Sequence, residues 1–194
     1  MKKKVTLLFS VFLSLFIGGC ASHKSNFYIL SPVTQMIPQE FKHTILIAPV
    51  SIPSMADRSQ LITRLDGNQV KIDDLNLWAA PLKTEIARIV AENLLATLNH
   101  AQVITPGILP EEEEPYYRIH INLIRFEAAL GERATLDALW SIQHNEKGFI
   151  RSGKTTMEET LTDAKYTALI SAYNRLLAQL SEDIAQGLLA EEAP

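Results

Sequence analysis

Cysteine is all but absent from this chain: Cys20 is the single one in 194 residues. No disulfide can close within it. Glycine is also scarce, at eight. None of the eight sits in a G-x-x-x-x-G-K-[ST] or G-x-G-x-x-G spacing, which excludes the familiar phosphate-cradling loops. There is no G-x-S-x-G nucleophile elbow. The five histidines, at 23, 43, 100, 120 and 144, form no H-E-x-x-H or other close ligand spacing. His120 reads as a surface or hydrogen-bonded histidine on a strand face. Adjacent carboxylates such as Glu158 and Glu159 point to opposite faces of a strand and cannot share a site through their spacing. The expectation is no enzyme, no metal and no cofactor. An excess of positive charge is missing too, with 18 Lys and Arg against 22 Asp and Glu. Such a chain has no electrostatic footprint for a phosphate backbone, so nucleic acid is not an expected partner. Nor is it drawn to anionic lipid in general.

What is present starts at the N-terminus. Lys2, Lys3 and Lys4 precede an apolar run at residues 5–17. As a helix the run spans roughly 20 Å, short of a hydrocarbon core about 30 Å thick. It fits the h-region of a secretory signal peptide. The run ends in Ile17-Gly18-Gly19-Cys20, which resembles the lipobox of bacterial lipoproteins. Residues 1–19 are then a signal peptide, Cys20 the acylated N-terminus and residues 20–26 a lipidated tether. Residues 27–190 form a single periplasmic domain. Without its three leading lysines the chain keeps 15 basic residues against 22 acids, a net charge of −7. A single acyl chain holds a protein only marginally, whereas several make attachment effectively permanent. Ala21 follows the cysteine where Asp would favour the inner membrane. The expected location is therefore the outer membrane, facing the periplasm.

Behind the tether the periodicity alternates between two and 3.6. Residues 27–30 read as a first strand and residues 31–40, with two prolines, as loop. Residues 45–50 form a continuous apolar run, too short for a helix, and read as a strand covered on both faces. Residues 60–72 read as a hairpin around Asp66-Gly67. Residues 78–99 read as an amphipathic helix, with Leu82, Ile86, Ile89, Val90, Leu94 and Leu98 on one stripe, Pro81 in its first turn and Asn76 as a nearby cap. Residues 102–105 form a short strand. The acidic run 111–114 reads as a solvated loop; it lacks the spaced ligands and turn glycine of a calcium loop. Residues 116–126 alternate, with Tyr117, Ile119, Ile121 and Leu123 on one face. Turns at Gly131 and at 145–148 then lead to strands around 134–142 and 149–157, an antiparallel meander. A second long helix covers 163–189, capped by Thr162 or Asp163. The fold class is α/β: one domain with a mixed, mostly antiparallel sheet covered by two long helices. Asp57, Arg58, Gln60 and Arg64 are candidates for a polar contact surface at the foot of the hairpin. Trp78 is a fifth interface candidate, although at a helix start it reads first as core.

Several segments in order carry a family resemblance. They are Tyr28-Ile29-Leu30, Ile47-Ala48-Pro49-Val50-Ser51-Ile52-Pro53, the stretch from Asp57 to Arg64, Leu77-Trp78-Ala79-Ala80-Pro81-Leu82, and Ala91-Glu92-Asn93-Leu94. Following a lipobox, they resemble the ABC-type transport auxiliary lipoproteins. The family often has Arg and Glu where this chain has Leu77 and Ala80. The resemblance implies a three-layer α/β/α-like fold that assembles as a homo-oligomer, a ring among its forms. It implies a non-catalytic docking role in lipid transport between membranes, supporting envelope integrity. The implied partner is an MCE-domain tunnel protein of the inner membrane and periplasm. A periplasmic lipid-binding carrier is the alternative.

Overall fold

The computed structural model describes residues 24–33, 38–108 and 114–191. The expected signal peptide, Cys20 and all of the acidic run except Glu114 lie outside these residues. In chain order the elements are β1 (Asn26–Tyr28), β2 (Gln39–Glu40), β3 (Thr44–Ile47), β4 (Gln60–Arg64), β5 (Val70–Trp78) and α1 (Leu82–Thr97). They continue with β6 (Leu98–Asn99), β7 (Gln102–Ile104), β8 (Tyr116–Ala129), β9 (Arg133–His144), β10 (Gly148–Thr160) and α2 (Tyr166–Leu189).

The sheet is built around β8. Alternation buries Tyr117, Ile119, Ile121 and Leu123 on one face. A bulge between Leu123 and Arg125 shifts the register, and Phe126 and Ala128 continue that face. One edge of β8 pairs antiparallel with β9, which pairs antiparallel with β10. Gly131 (φ 77°) and Gly148 (φ 80°) make the connecting turns, in a backbone region that favours glycine. This is the expected meander. The other edge of β8 is shared. β3 pairs parallel with its first residues, Ser51 bridges to Asn122, and Arg64 of β4 meets Ala129 at its end. β4 and β5 form the expected hairpin, β1 adds parallel to β5, and β7 adds parallel to β3. The sheet is therefore mixed and mostly antiparallel.

Both helices lie on the same face. Asn93 of α1 donates to Ser181 of α2 at 3.4 Å, between two fully buried side chains. The indole of Trp140 on β9 is sandwiched between two glycines. A Cβ at Gly153 would fall 2.2 Å from the ring, and one at Gly187 of α2 would fall 2.9 Å from it. Arg125, Glu127, Thr135, Asp137, Lys154 and Glu158 occupy the opposite face, by alternation and pairing register. That face is too charged to bury without cost. Among the described residues both helices cover one face of the sheet, and the three-layer arrangement implied by the resemblance is not confirmed.

Local boundaries correct the sequence reading in three places. Trp78 ends β5 rather than opening a helix: its N–H donates to Ser59 O at 2.7 Å, as a sheet residue does. Asn76 caps nothing, because its Oδ1 accepts from the Tyr28 hydroxyl at 2.9 Å; Pro81 precedes α1 in the N-cap position with no side-chain cap. The second helix starts at Tyr166, with Lys165 rather than Thr162 or Asp163 before it. Asp163 instead accepts from Lys165 N–H at 2.8 Å within the preceding loop. Glu158 and Glu159 do diverge as expected. Glu158 lies 3.8 Å from Arg133, while Glu159 receives Arg175 of α2 at 3.1 Å.

Candidate docking surface

Four of the five interface candidates meet where the hairpin opens. A tight turn places Asp57 and Arg58 just before β4, with Ala56 N–H donating to Pro53 O and Arg58 N–H to Ala56 O, each at 2.9 Å. Asp57 takes Lys83 of α1 at 2.7 Å, an exposed pair worth little in stability. Arg58 is exposed and pairs with no acid among the described residues. Gln60 begins β4 opposite Leu77, and its Oε1 accepts from the Ser59 hydroxyl at 3.4 Å. Asp57, Arg58, Ser59 and Trp78 line a cleft of about 350 Å³ closed by Pro81 and Leu82. Trp78 is only 6% exposed and tilts against Tyr173, with ring centroids 6.4 Å apart. It floors the cleft from the core.

Arg64 does not belong to this group. It stands four residues along β4, about 13 Å away at strand rise. There it donates to Gly67 O at 3.2 Å and pairs with Glu127 at 2.9 Å. It braces the hairpin tip and clips it to the end of β8. The expected single surface is therefore split, with a cleft at one end and a structural clamp at the other.

A second arrangement was not assigned from the residues. The stretch that follows the tether is strapped to the body of the domain. Asn26 donates to Asn76 Oδ1 at 3.2 Å, and Ala79 N–H donates to Tyr28 O at 2.9 Å. Arg88 donates to Leu30 O at 2.9 Å, Ser31 N–H to Asn174 Oδ1 at 3.0 Å, and Val33 N–H to Asn93 Oδ1 at 3.0 Å. Leu30 itself is buried in the core. Glu85 and then Glu92 grip the Arg88 guanidinium and hold it well above the usual arginine range. Next to the strap, Asp73 accepts from Lys71 at 2.8 Å and from the backbone N–H groups of Leu75 and Asn76. The Lys71 bond does most to hold its carboxyl below the ordinary range, against the opposing effect of burial. The Tyr166 hydroxyl donates to the same carboxylate at 2.9 Å. Burial first, then Asp73, pushes that phenol up to about 12.

Three of the segments that carry the family resemblance take part in the strap. Tyr28-Ile29-Leu30 is the strap; Leu77-Trp78-Ala79-Ala80-Pro81-Leu82 and Ala91-Glu92-Asn93-Leu94 supply part of what holds it. Among the described residues no three His, Cys, Asp or Glu side chains gather as a metal would require. None of their helices is long and apolar enough to cross a membrane. His120 is half-buried on the open face, beside an open groove of about 590 Å³ shared with Asn122, Leu139, Ser141 and Lys154.

The fold recurs in solved structures. A crystal structure of an uncharacterised protein superposes with a TM-score of 0.70 at 16% identity, covering 84% of this chain and 98% of that one. A protein of Xanthomonas campestris gives 0.69 at 16% identity, covering 87% of this chain and 97% of that one. At such identity the likeness establishes the fold alone. No curated protein matches the chain. Residues 28–185, from the strap through most of α2, match one family throughout, and the chain belongs to the ABC-type transport auxiliary lipoprotein components.

Proposed function

We propose that this lipoprotein is held at the outer membrane by acylated Cys20 and docks, without catalysis, an MCE-domain tunnel protein of an intermembrane lipid transport system. The observation that carries the reading is the strap. A tether alone lets a domain tumble. Here the chain stops being a tether within a few residues of Cys20, and hydrogen bonds from β5, α1 and α2 fix it. A rigid mount suits a part that must present one surface to a partner spanning the periplasm. The cleft with exposed Arg58 is the surface offered, and assembly of several copies, as in a ring, would repeat it. A lipid carrier is disfavoured because the groove beside His120 and the cleft between Val50 and Ala87, about 590 and 300 Å³, both open to solvent, and neither is an enclosed apolar cavity.

The test is co-purification from detergent-solubilised envelopes with the MCE-domain protein, identified by mass spectrometry. Recovery of that protein is expected with the native chain and not with Cys20→Ala. Arg58→Glu should weaken recovery while leaving the thermal midpoint unchanged. Equal recovery with Cys20→Ala and native chain would overturn the anchored docking role. Stoichiometric phospholipid on a purified soluble domain would favour the carrier instead.

A further inference from the structure

We infer that the sheet edge formed by β1 and the adjoining part of β5 is a lipid-contacting surface, seated on the outer membrane's inner leaflet. The proposal rests on the anchored reading above and goes beyond it, because an anchor alone does not say which side of the domain meets the bilayer.

Three observations converge. The first is an apolar patch at this edge. Phe27 is 65% exposed, Ile29 56% and Leu75 38%. Tyr28 turns toward the helices, where its ring lies 5.9 Å from that of Tyr166. Alternation therefore sends Phe27 to the opposite side, the side of its partner Leu77. Large apolar side chains grouped at an edge strand, rather than scattered, mark a contact surface.

The second is reach. Six peptide links separate Cys20 from Asn26, at most about 20 Å of extended chain. The strand sequence across the sheet runs β1, β5, β4, β8, β9, β10. The β10 edge is thus five strand spacings from β1, about 24 Å away. An acylated Cys20 keeps the start of β1 within about 20 Å of the bilayer, a limit that the β10 edge does not share. The exposed Phe149 at the start of β10 stands at the far side and gives a matched control.

The third is fixity. Asn26 and Tyr28 are both tied to Asn76, so the point where the tether leaves the domain is set by the sheet. The exit point is thereby held beside the apolar patch. Lys24, exposed between tether and patch, adds a positive charge at the height of the lipid phosphates.

The experiment uses the full chain with its native N-terminus, reconstituted in vesicles of phosphatidylethanolamine and phosphatidylglycerol. With Cys20 acylated, a thiol introduced by Phe27→Cys, Leu75→Cys or Phe149→Cys is the only one available to an environment-sensitive fluorophore. All three positions are exposed, so labelling leaves the core intact, and a thermal melt checks this. A lipid-borne quencher should extinguish the label at 27 and 75 and spare it at 149. Equal quenching at all three, or none at 27 and 75, overturns the proposal. Protection of 27 from aqueous iodide without quenching from the lipid also overturns it and assigns the patch to a second copy of the chain. Intact mass on the same samples separates the two readings. An acylated chain with unquenched 27 and 75 removes this edge and keeps the anchor, whereas an unacylated chain removes both.

Discussion

The two sides of β8 are made differently. On one side the chain runs β8, β9, β10 with short turns, each ladder pairing a dozen residues with one register shift, and each pairing closes a local loop. On the other side short strands from distant parts of the sequence share a single edge, with gaps between them. β3, Ser51 and Arg64 meet β8 in turn, and the strap then joins beyond β5. The meander side is held by packing: its inward residues from Ala134 to Ile142 are buried beneath α2. The strap side is held by individual hydrogen bonds to Asn76, Arg88, Asn93 and Asn174. The difference teaches that damage on the first side should be global and damage on the second local.

The sharpest way to break that distinction is Gly153→Ala. The new methyl would meet the Trp140 ring at 2.2 Å, and the ring cannot retreat because Gly187 of α2 flanks it. Overpacking of this kind should cost about 3 kcal/mol and lower the Tm by roughly 10 °C. The transition should stay two-state, read by circular dichroism. Gly187→Ala makes a milder 2.9 Å contact, and alanine gains about 1 kcal/mol of helix propensity over glycine. Its net loss should be the smaller of the two. If Gly153→Ala melts only part of the molecule, the meander is not the cooperative centre.

Asn93→Ala tests the other side. Asn93 is fully buried, accepts from Val33 N–H and donates to Ser181. Its loss leaves the half-buried Val33 N–H unpaired and a void beside Ser181, which keeps its bond to Leu177 O, for about 2 kcal/mol. Arg88→Ala removes the bond to Leu30 O and two partly exposed ion pairs, for about 1 kcal/mol. The signature of both is a loss of amide-exchange protection confined to residues 30–33, larger than the change in global stability. A uniform loss across the sheet would erase the contrast between the two sides.

The same contrast explains what could be read from the sequence. The meander was legible because Tyr117, Ile119, Ile121 and Leu123 alternate, glycines mark the turns, and the partners are sequence neighbours. The stripes of α1 and α2 were legible for the corresponding helical reason. The strap was not, since nothing in Tyr28-Ile29-Leu30 says that its partners lie 48 to 58 residues away, or that Ser31 pairs 143 residues on. Trp78 was misplaced because residues 78–81 combine an apolar start with a proline, which satisfies a helix opening as well as a strand end. What decides it is β4, through Ser59 O, a tertiary contact. Arg58 and Arg64 look alike in a list of charges. Only the pairing of Arg64 with Glu127 separates a clamp from a free guanidinium.

The smallest effect is also the most specific to the strap side. Asp73 and Tyr166 join β5 to the start of α2 through one 2.9 Å hydrogen bond. An ordinary phenol ionises near pH 10, whereas burial and Asp73 push Tyr166 up to about 12. The folded chain therefore binds this proton more tightly than the unfolded chain does. The stabilisation is complete below about pH 10 and is lost as the pH rises through about 12. Asp73 works in the opposite direction. Its lowered carboxyl stabilises above the usual carboxylate range and ceases to do so as the pH falls through its folded value. Tyr166→Phe should consequently flatten the alkaline limb of a Tm-against-pH profile and leave most of the acid limb in place. Asp73→Asn should weaken both limbs, because it removes the carboxylate from the acid side and a cause of the raised phenol from the alkaline side. If Tyr166→Phe leaves the alkaline limb unchanged, that limb belongs to fully buried Tyr173, whose phenol burial also raises. Alkaline stability would then report on packing under α2 rather than on the junction beside the strap.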